Sequence, residues 1–401
     1  MLDGQTPISS VSATKEELLH FFREMYTVRR MEIACDTEYK NRAIRGFCHL
    51  YDGQEGVGMG LQAALSKSDH VSTSYRCHGL QYFRGDTVRS ILGELFGFEQ
   101  GTSKGKGGSM HMYSKARRFW GGAGIVGAQV PIAGGLAFVE RYKTGGSGAP
   151  MDVSVGMYGD GAANQGQIWE TANMAKLWNL PLILLCENNE YGMGTSTKRH
   201  SSNNAYYTQG GLVIPGVQCD GLDVLAMREA VRFCRQHASS GKGPIFLEAK
   251  TYRYHGHSMS DPGITYRAKE EVTKMKAAHD CIDQVKARLA EAGWATEAEL
   301  KAIEKEVREK VRAGWLAAGP GGWRAVALPS HSTHSHTHAR THTISPSLHT
   351  RLWQRWRQPR RAHCLAQSSC TQTSSTRRCP STFACQTGFN QRSPLERASQ
   401  S

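Results

Sequence analysis

Acidic and amide side chains follow two apolar segments of this chain, at the points where each segment would end as a strand. Asp160 lies in a glycine turn after the apolar run 153–158, and Asn189 follows the next apolar run, 182–186. If the two runs are neighbouring parallel strands, both side chains face the edge where open α/β sheets bind ligands. A carboxylate, an amide oxygen and a nearby backbone carbonyl suit a hard divalent cation such as Mg²⁺. Because protein-bound Mg²⁺ usually brings phosphates with it, the pattern predicts a phosphorylated ligand.

A repeated order of strands and helices surrounds this site. Strands are predicted by apolar runs at 153–158, 182–186 and 244–253, and helices by the segments 164–178 and 224–238. A parallel pair of strands needs a long crossover connection, usually a helix, and these segments have the required length. The order therefore predicts the α/β class with a doubly wound parallel sheet.

Further helices and one glycine-rich region complete the predicted architecture. Thr14 with Glu17, and Thr296 with Glu299, match the capping box of a helix start. Residues 45–131 contain many glycines and few long apolar runs, so extended loops that carry binding residues are expected there. Helices are expected at 14–40, with a buried stripe of Leu18, Phe22, Met25 and Met31, at 133–142, and as charged surface helices at 270–290 and 297–312.

The net charge of the 401-residue chain is +14, which taken alone suggests a nucleic-acid partner. The charge is concentrated in residues 312–401, which contain 12 Arg, no Lys and one acidic residue, Glu396. The remaining residues contain 37 basic and 34 acidic side chains and are nearly balanced. We therefore expect no nucleic-acid partner for the folded part. No apolar run is long enough to predict a membrane span, so no membrane partner is expected either.

Cysteine spacing and the first residues bear on the compartment. The 11 cysteines contain no C-x-x-C pair and no regular spacing, which argues against a zinc site or a secreted disulfide framework. A reducing compartment is the simpler interpretation. The first residues, MLDGQTPISSVSATKEE, lack the Arg-rich amphipathic pattern of a transit peptide. We expect either that this chain lacks its targeting segment or that it is not imported.

Six segments, in order along the chain, resemble the family of pyruvate dehydrogenase alpha subunits, the thiamine-dependent first component of the pyruvate dehydrogenase complex. They are RGFCHLYDGQEG at 45–56, SYRCHG at 74–79, KGKGGSMHMY at 104–113, GIVGAQVP at 124–131, the tract 158–192 with its Gly-Asp-Gly and Asn-Asn, and YRYHGHSMSDPG at 252–263. The resemblance covers residues 15–311 and implies a thiamine diphosphate-binding, transketolase-like fold for them. Residues 1–14 would be an N-terminal extension. Residues 312–401 would be a low-complexity basic tail, which we expect to be disordered.

The resemblance implies a metal and diphosphate site around Asp160 and Asn189. In the family, the positions of Asp160 and Asn189 donate side-chain oxygens to Mg²⁺, and the position of Tyr191 donates its backbone carbonyl. Gly161 and Ala162 would hold the diphosphate of thiamine diphosphate through backbone N–H groups at a helix start, where the helix dipole favours anions. Two diphosphate oxygens and a water would complete the octahedron that Mg²⁺ prefers.

The resemblance also implies residues around the rest of the cofactor and the substrate. Tyr75, Arg76 and His257 match family positions beside the diphosphate, and the planar fork of Arg suits phosphate oxygens. His49 would face the substrate, so His49 and His257 are the candidate catalytic residues. The residues implied beside the aminopyrimidine ring are Gly124 and Val126.

Partners and regulation follow from the same resemblance. The family's catalytic glutamate lies on a separate beta subunit, so this chain would carry half an active site within an α2β2 heterotetramer. The assembled enzyme would decarboxylate pyruvate in the mitochondrial matrix and pass the two-carbon fragment to a lipoyl group of the acyltransferase component. A regulatory kinase and phosphatase would act on Ser258, Thr265 and Ser196, where a phosphate adds negative charge.

Alternatives remain open at two levels. One is the alpha subunit of a branched-chain 2-oxo acid or acetoin dehydrogenase, although segments 45–56 and 252–263 are more similar to the pyruvate branch. Another is a non-catalytic alpha-like subunit, because residues after 311 do not resemble the family's C-terminus. For residues 312–401 the alternatives are a translated non-coding segment, a His-rich metal-binding tail or an Arg-rich nucleic-acid tail.

Overall fold

A parallel sheet organises the part of the chain that the computed structural model describes, residues 10–145 and 149–318. In chain order the strands are β1 (His70–Ser74), β2 (Phe119–Ala123), β3 (Ser154–Gly159), β4 (Leu182–Asn188), β5 (Tyr191–Gly192), β6 (Thr195–Ser196), β7 (Gly216–Asp220) and β8 (Ile245–Lys250). Six of them form one sheet in the order β2-β1-β3-β4-β8-β7, with every neighbouring pair parallel. The remaining two, β5 and β6, form an antiparallel hairpin. The predicted α/β class and parallel sheet are confirmed, and the three predicted strands correspond to β3, β4 and β8.

Helices cover both faces of this sheet. They are α1 (Lys15–Lys40), α2 (Glu55–Ala64), α3 (His78–Phe83), α4 (Val88–Leu95), α5 (Gln129–Lys143), α6 (Gly166–Leu177), α7 (Thr197–His200), α8 (Val224–His237), α9 (Lys269–His279), α10 (Cys281–Glu291) and α11 (Glu297–Ala318). Alternate residues of β4 enter two different apolar clusters. Ile183 and Leu185 pack with residues of α1, α2 and α8, whereas Leu182 and Leu184 pack with residues of α5 and α6. This double burial explains why the run is continuously apolar.

The expectation of extended loops over residues 45–131 was wrong in large part. This region contains α2, α3, α4, β1 and β2. The glycines of α2 misled the prediction because they serve close helix packing. A Cβ atom on Gly60 would lie 2.6 Å from the Cβ of Met227, and one on Gly56 would lie 2.6 Å from the carbonyl oxygen of Gly221. Glycine therefore lets α2 approach α8 and its preceding turn, at the known cost in helix propensity.

The predicted helix caps are present in the structure. The Thr14 hydroxyl accepts a hydrogen bond from the backbone N–H of Glu17 at 3.2 Å, and the expected apolar stripe of α1 is buried. At α11 the box is reciprocal, since the backbone N–H of Thr296 donates to the Glu299 carboxylate at 2.7 Å and the N–H of Glu299 donates back to the hydroxyl at 3.3 Å.

The segment 270–290, which was predicted to be one charged surface helix, is divided between two helices, α9 and α10. Asp280 interrupts it, because its side chain accepts a hydrogen bond from the backbone N–H of Ile282 at 2.9 Å and caps a new helix, α10. The Asp280 carboxylate also pairs with Arg29 of α1 at 2.9 Å. As a result α10 is partly a core helix, with Val285 and Leu289 fully buried.

Helix α11 continues past the predicted domain end at residue 311 as far as Ala318, which is buried like Val311. The predicted N-terminal extension lies mostly outside the described residues, and the predicted disordered tail lies outside them from residue 319 onward. Among the described helices, none combines the length and the apolar character that crossing a membrane requires.

Candidate functional site

A cavity of about 940 Å³ opens at the carboxyl edge of the sheet, where open α/β sheets bind their ligands. Strands β3 and β4 run in parallel register, with Gly159 beside Glu187, so the residues that follow them meet at this edge. All of the residues predicted to bind the cofactor, the metal or the substrate line this one cavity, together with one predicted phosphorylation residue. They are His49, Tyr75, Arg76, Gly124, Val126, Asp160, Gly161, Ala162, Asn189, Tyr191, His257 and the predicted phosphorylation residue Ser258.

The three predicted metal ligands form one oxygen cluster. The Asp160 carboxylate is 1% exposed and accepts a hydrogen bond from the backbone N–H of Asn189 at 3.0 Å. The Asn189 side-chain oxygen and the Tyr191 carbonyl oxygen both accept from Nη1 of Arg253, at 3.2 and 2.6 Å. A cationic nitrogen thus lies where two of the predicted ligand oxygens converge. A carboxylate, an amide oxygen and a carbonyl are the hard donors that Mg²⁺ prefers, so these residues fit the ion.

The predicted diphosphate segment lies in a tight turn between β3 and α6. Residues Ala162–Asn164 form a 3₁₀ turn, and α6 begins only at Gly166. Gly161 and Ala162 therefore begin this turn, and the prediction that they lie at the start of a longer helix was wrong. A Cβ atom on Gly161 would lie 3.3 Å from the Cα of Gly192, which is tight packing against the loop that carries Tyr191.

Three aromatic rings form a cluster on another wall of the cavity. The ring centroids of His49 and Tyr75 are 4.3 Å apart, and the ring of His257 lies 5.2 Å from that of His49 and 5.5 Å from that of Tyr75. Burial, with Arg76 nearby, holds the pKa of His49 far below its ordinary value and lowers the pKa of His257 to about 4. Both imidazoles are therefore neutral near pH 7 and act as hydrogen-bonding groups without charge.

Arg76 joins two walls of the cavity. Its guanidinium donates to the carbonyl oxygen of Leu50 at 2.5 Å and to that of His257 at 2.9 Å. These contacts fix the segment before α2 against the loop that contains Ser258. The predicted contact of Arg76 with a diphosphate stays a prediction.

Sequence reasoning missed four buried polar residues of the cavity: Gln54, Gln129, Glu187 and Arg253. Burial raises the pKa of the Glu187 carboxyl to about 7, although Tyr51 and Gln54 donate hydrogen bonds to it at 2.8 and 3.1 Å. One sequence feature pointed to Glu187, because it is an acidic residue inside an otherwise apolar strand. Arg253 lies three residues after the end of β8 and had no comparable feature.

The three predicted phosphorylation residues differ in accessibility. Ser258 is 6% exposed and exchanges a hydrogen bond with Ser260 at 2.9 Å, inside a loop bordering the cavity. Thr265 is exposed, and Ser196 is half-buried at the end of β6. Neither Thr265 nor Ser196 lines the cavity.

Glu32, Cys35 and His78 form a second buried cluster of potential ligand atoms, all within 4.8 Å of one another. Both nitrogens of His78 already have hydrogen-bond partners, since Nδ1 lies 3.0 Å from the Glu32 carboxylate and Nε2 lies 2.8 Å from the Ser109 hydroxyl. These bonds connect α1, α3 and the loop at Ser109, so the cluster has a structural explanation.

Comparison with known proteins identifies the family of this chain. The profile of the family described as "Dehydrogenase E1 component" matches residues 23–318. The mitochondrial pyruvate dehydrogenase E1 component subunit alpha of Chaetomium thermophilum is 52% identical over 312 residues, which are 78% of this chain and 74% of that protein. The somatic form of the human subunit is 50% identical over 310 residues, 77% of each chain. A probable subunit alpha of Caenorhabditis elegans is 50% identical over 305 residues, 76% of this chain and 75% of that protein.

Proposed function

The chain belongs to the dehydrogenase E1 component family, and on that premise we propose that it is the alpha subunit of a mitochondrial pyruvate dehydrogenase. The observation that carries the proposal is the oxygen cluster of Asp160, Asn189 and Tyr191, which lines the cavity at the carboxyl edge of the sheet. The family depends on thiamine diphosphate, and a cation at this cluster would neutralise the charge of the diphosphate.

The residues of the cavity have separate tasks in this proposal. Asp160, Asn189 and Tyr191 would hold Mg²⁺, and the N–H groups of Gly161 and Ala162 would bind diphosphate oxygens. When bound, thiamine diphosphate would supply the carbanion chemistry that decarboxylation of pyruvate needs. The cavity walls orient both molecules and exclude water from them.

The neutral histidines suit a substrate that carries its own charge. An imidazole with a lowered pKa is neutral and offers one N–H donor and one nitrogen acceptor. It does not bind the substrate carboxylate as strongly as a fixed positive charge would. His49, buried beside Tyr75, and His257, on the loop before Ser258, are placed to orient pyruvate and to hold or pass a proton. The other wall residues, Gly124 and Val126, would lie against the aminopyrimidine ring.

A partner subunit is part of the proposal. The outer face of α5 and α6 exposes a group of large apolar side chains, and patches of this kind mark protein interfaces. Its members are Ile132, Phe138, Val139, Tyr142, Trp169, Met174, Leu177 and Trp178. We propose that a beta subunit brings the missing catalytic glutamate in an α2β2 heterotetramer. The product would pass to the lipoyl group of an acyltransferase component, and a kinase and phosphatase would act on Ser258, Thr265 and Ser196.

A substrate panel on the assembled protein tests this function. The full chain is co-expressed with a pyruvate dehydrogenase beta subunit. Carbon dioxide release is measured with pyruvate and 3-methyl-2-oxobutanoate, and acetaldehyde release is measured with acetoin. The proposal predicts a requirement for thiamine diphosphate and the largest kcat/KM for pyruvate. Faster turnover of the branched-chain acid would assign the chain to the branched-chain enzymes. Assembly without any turnover would identify a non-catalytic subunit.

A further inference from the structure

We propose that Gln54 and Glu187 are positioning residues that orient the side-chain amide of Asn189, so that its oxygen and not its nitrogen faces the cation. This inference rests on the proposed function of the oxygen cluster and names how one of its ligands is prepared. The two ends of an amide have nearly the same shape, so packing alone does not distinguish them. Only hydrogen-bond partners fix which end faces the ion.

The contacts of Asn189 have a defined direction. Its Nδ2 donates to Oε1 of Gln54 at 3.0 Å, and its Oδ1 accepts from Nη1 of Arg253 at 3.2 Å. The backbone N–H of the same residue donates to the Asp160 carboxylate at 3.0 Å. The nitrogen end of the amide is thus engaged away from the cation position, and the oxygen end faces it.

Gln54 has the same ambiguity, and Glu187 resolves it. Nε2 of Gln54 donates to Oε1 of Glu187 at 3.1 Å, and the Tyr51 hydroxyl donates to the same oxygen at 2.8 Å. An oxygen that accepts from two donors can only face the NH₂ end of Gln54. Oε1 of Gln54 is therefore left for Asn189.

Burial makes the loss of one of these hydrogen bonds costly. Gln54 is 1% exposed, Glu187 3% and Asn189 8%, so water has little access to replace a lost partner. An amide NH₂ group has no lone pair available for a hard cation, whereas the amide oxygen is a good ligand. If residue 54 no longer accepts the hydrogen bond from Nδ2 of Asn189, that donor has no partner whenever Oδ1 of Asn189 faces the ion. An unsatisfied buried donor of this kind costs about 1–3 kcal/mol, which is roughly five- to 150-fold in affinity.

The test measures cation affinity directly, with Mn²⁺ as an electron paramagnetic resonance probe and thiamine diphosphate present. The full chain is used, assembled with a pyruvate dehydrogenase beta subunit. Gln54→Met, which keeps the length of the side chain, is expected to raise the Kd for Mn²⁺ at least tenfold. Gln54→Glu keeps an acceptor oxygen beside Asn189 and is expected to bind Mn²⁺ within threefold of wild type or more tightly. Should Gln54→Met fail to fold, a tenfold loss in Gln54→Glu would overturn the inference.

A double-mutant cycle separates orientation from general damage. A carboxylate has two equivalent oxygens and needs no orientation, so in an Asn189→Asp background Gln54→Met is expected to change the Kd by less than threefold. Gln81→Met is the matched control. Gln81 is also buried, and its Nε2 donates a hydrogen bond of 2.6 Å to the carboxylate of Asp86. This pair does not line the cavity. It is expected to leave Mn²⁺ binding unchanged.

The outcomes distinguish this inference from the function on which it rests. Wild-type protein that binds neither Mn²⁺ nor thiamine diphosphate would refute both. Wild-type protein that binds both ligands, with Gln54→Met within threefold of it, would refute the orienting role alone. An equal loss from Gln54→Met in the Asn189 and Asn189→Asp backgrounds would also refute it, since that result indicates a packing defect.

Discussion

Replacement of Asp160 by alanine is the most direct perturbation of the proposed cation site. The substitution removes the single anionic ligand among Asp160, Asn189 and Tyr191, and it removes the acceptor of the Asn189 backbone N–H at 3.0 Å. The two losses have different consequences. The first acts on cation and diphosphate binding, and the second acts on the loop that carries Asn189.

The expected loss of binding is large because the fold has already desolvated this carboxylate, which is 1% exposed. Two unit charges about 4 Å apart interact by about 4 kcal/mol at an effective dielectric constant of about 20. A carboxylate in direct contact with a divalent ion is closer and faces twice the charge, so this figure is a conservative one. At 1.4 kcal/mol per factor of ten, we expect thiamine diphosphate affinity in the presence of Mg²⁺ to fall at least about a thousandfold.

Isothermal titration calorimetry of the assembled protein measures this loss, with thiamine diphosphate titrated at fixed Mg²⁺. Asp160→Asn is the matched variant, because it keeps an oxygen that accepts from the Asn189 N–H but removes the charge. We expect Asp160→Asn to lose most of the affinity while retaining the thermal stability of the wild type. We expect Asp160→Ala to lose about 1–3 kcal/mol of stability as well. Affinity of Asp160→Ala within about threefold of wild type, or about 0.6 kcal/mol, would remove Asp160 from the site.

Four further predictions follow from the same structure. Ser258→Glu is expected to abolish turnover, because it places a charge in the loop beside the cavity, and full activity of this variant in the assembled protein would contradict the proposed regulation. The hydrogen bond to Asp52 at 2.6 Å raises the pKa of His255, although the side chain is partly buried. The stability that this pair contributes is therefore present below the ordinary histidine pKa and is lost as the pH rises through the raised pKa. The free energies of unfolding of wild type and His255→Gln, measured by denaturation, are therefore expected to converge as the pH is raised from about 6 to about 9. A difference that stays constant over this range would refute the assignment. Gly60→Ala is expected to destabilise the fold by about 1–3 kcal/mol through overpacking against α8, whereas Gly135→Ala, where a Cβ meets no atom within 4 Å, is expected to raise helix stability by about 0.5–1 kcal/mol. The chain alone is expected to release no carbon dioxide from pyruvate, with or without residues 319–401, and turnover without any beta subunit would show that the catalytic glutamate is not on a partner.

The fold was predictable where one short segment determines its own structure. The strands β3 and β4 are buried on both faces, and double burial gives a continuous apolar run that identifies them and their shared edge. The capping threonines of α1 and α11 were predictable for the same reason, since a cap depends on residues three positions apart. The helix α2 was not predictable from its own residues. Its glycines are favourable because other segments pack closely against them, among them α8, which lies more than 160 residues away in sequence from Gly60.

The site shows the same division between local and distant determinants. Asp160 and Asn189 follow adjacent strands, so the sheet topology alone predicts that they meet. Gln54, Glu187 and Arg253 meet them only after segments from three parts of the chain have packed together. The hydrogen-bond direction at Asn189 has no sequence pattern, because it depends on which end of one buried amide faces another. A ligand type can therefore be predicted from the chain, whereas the orientation that makes it a ligand is a property of the folded structure.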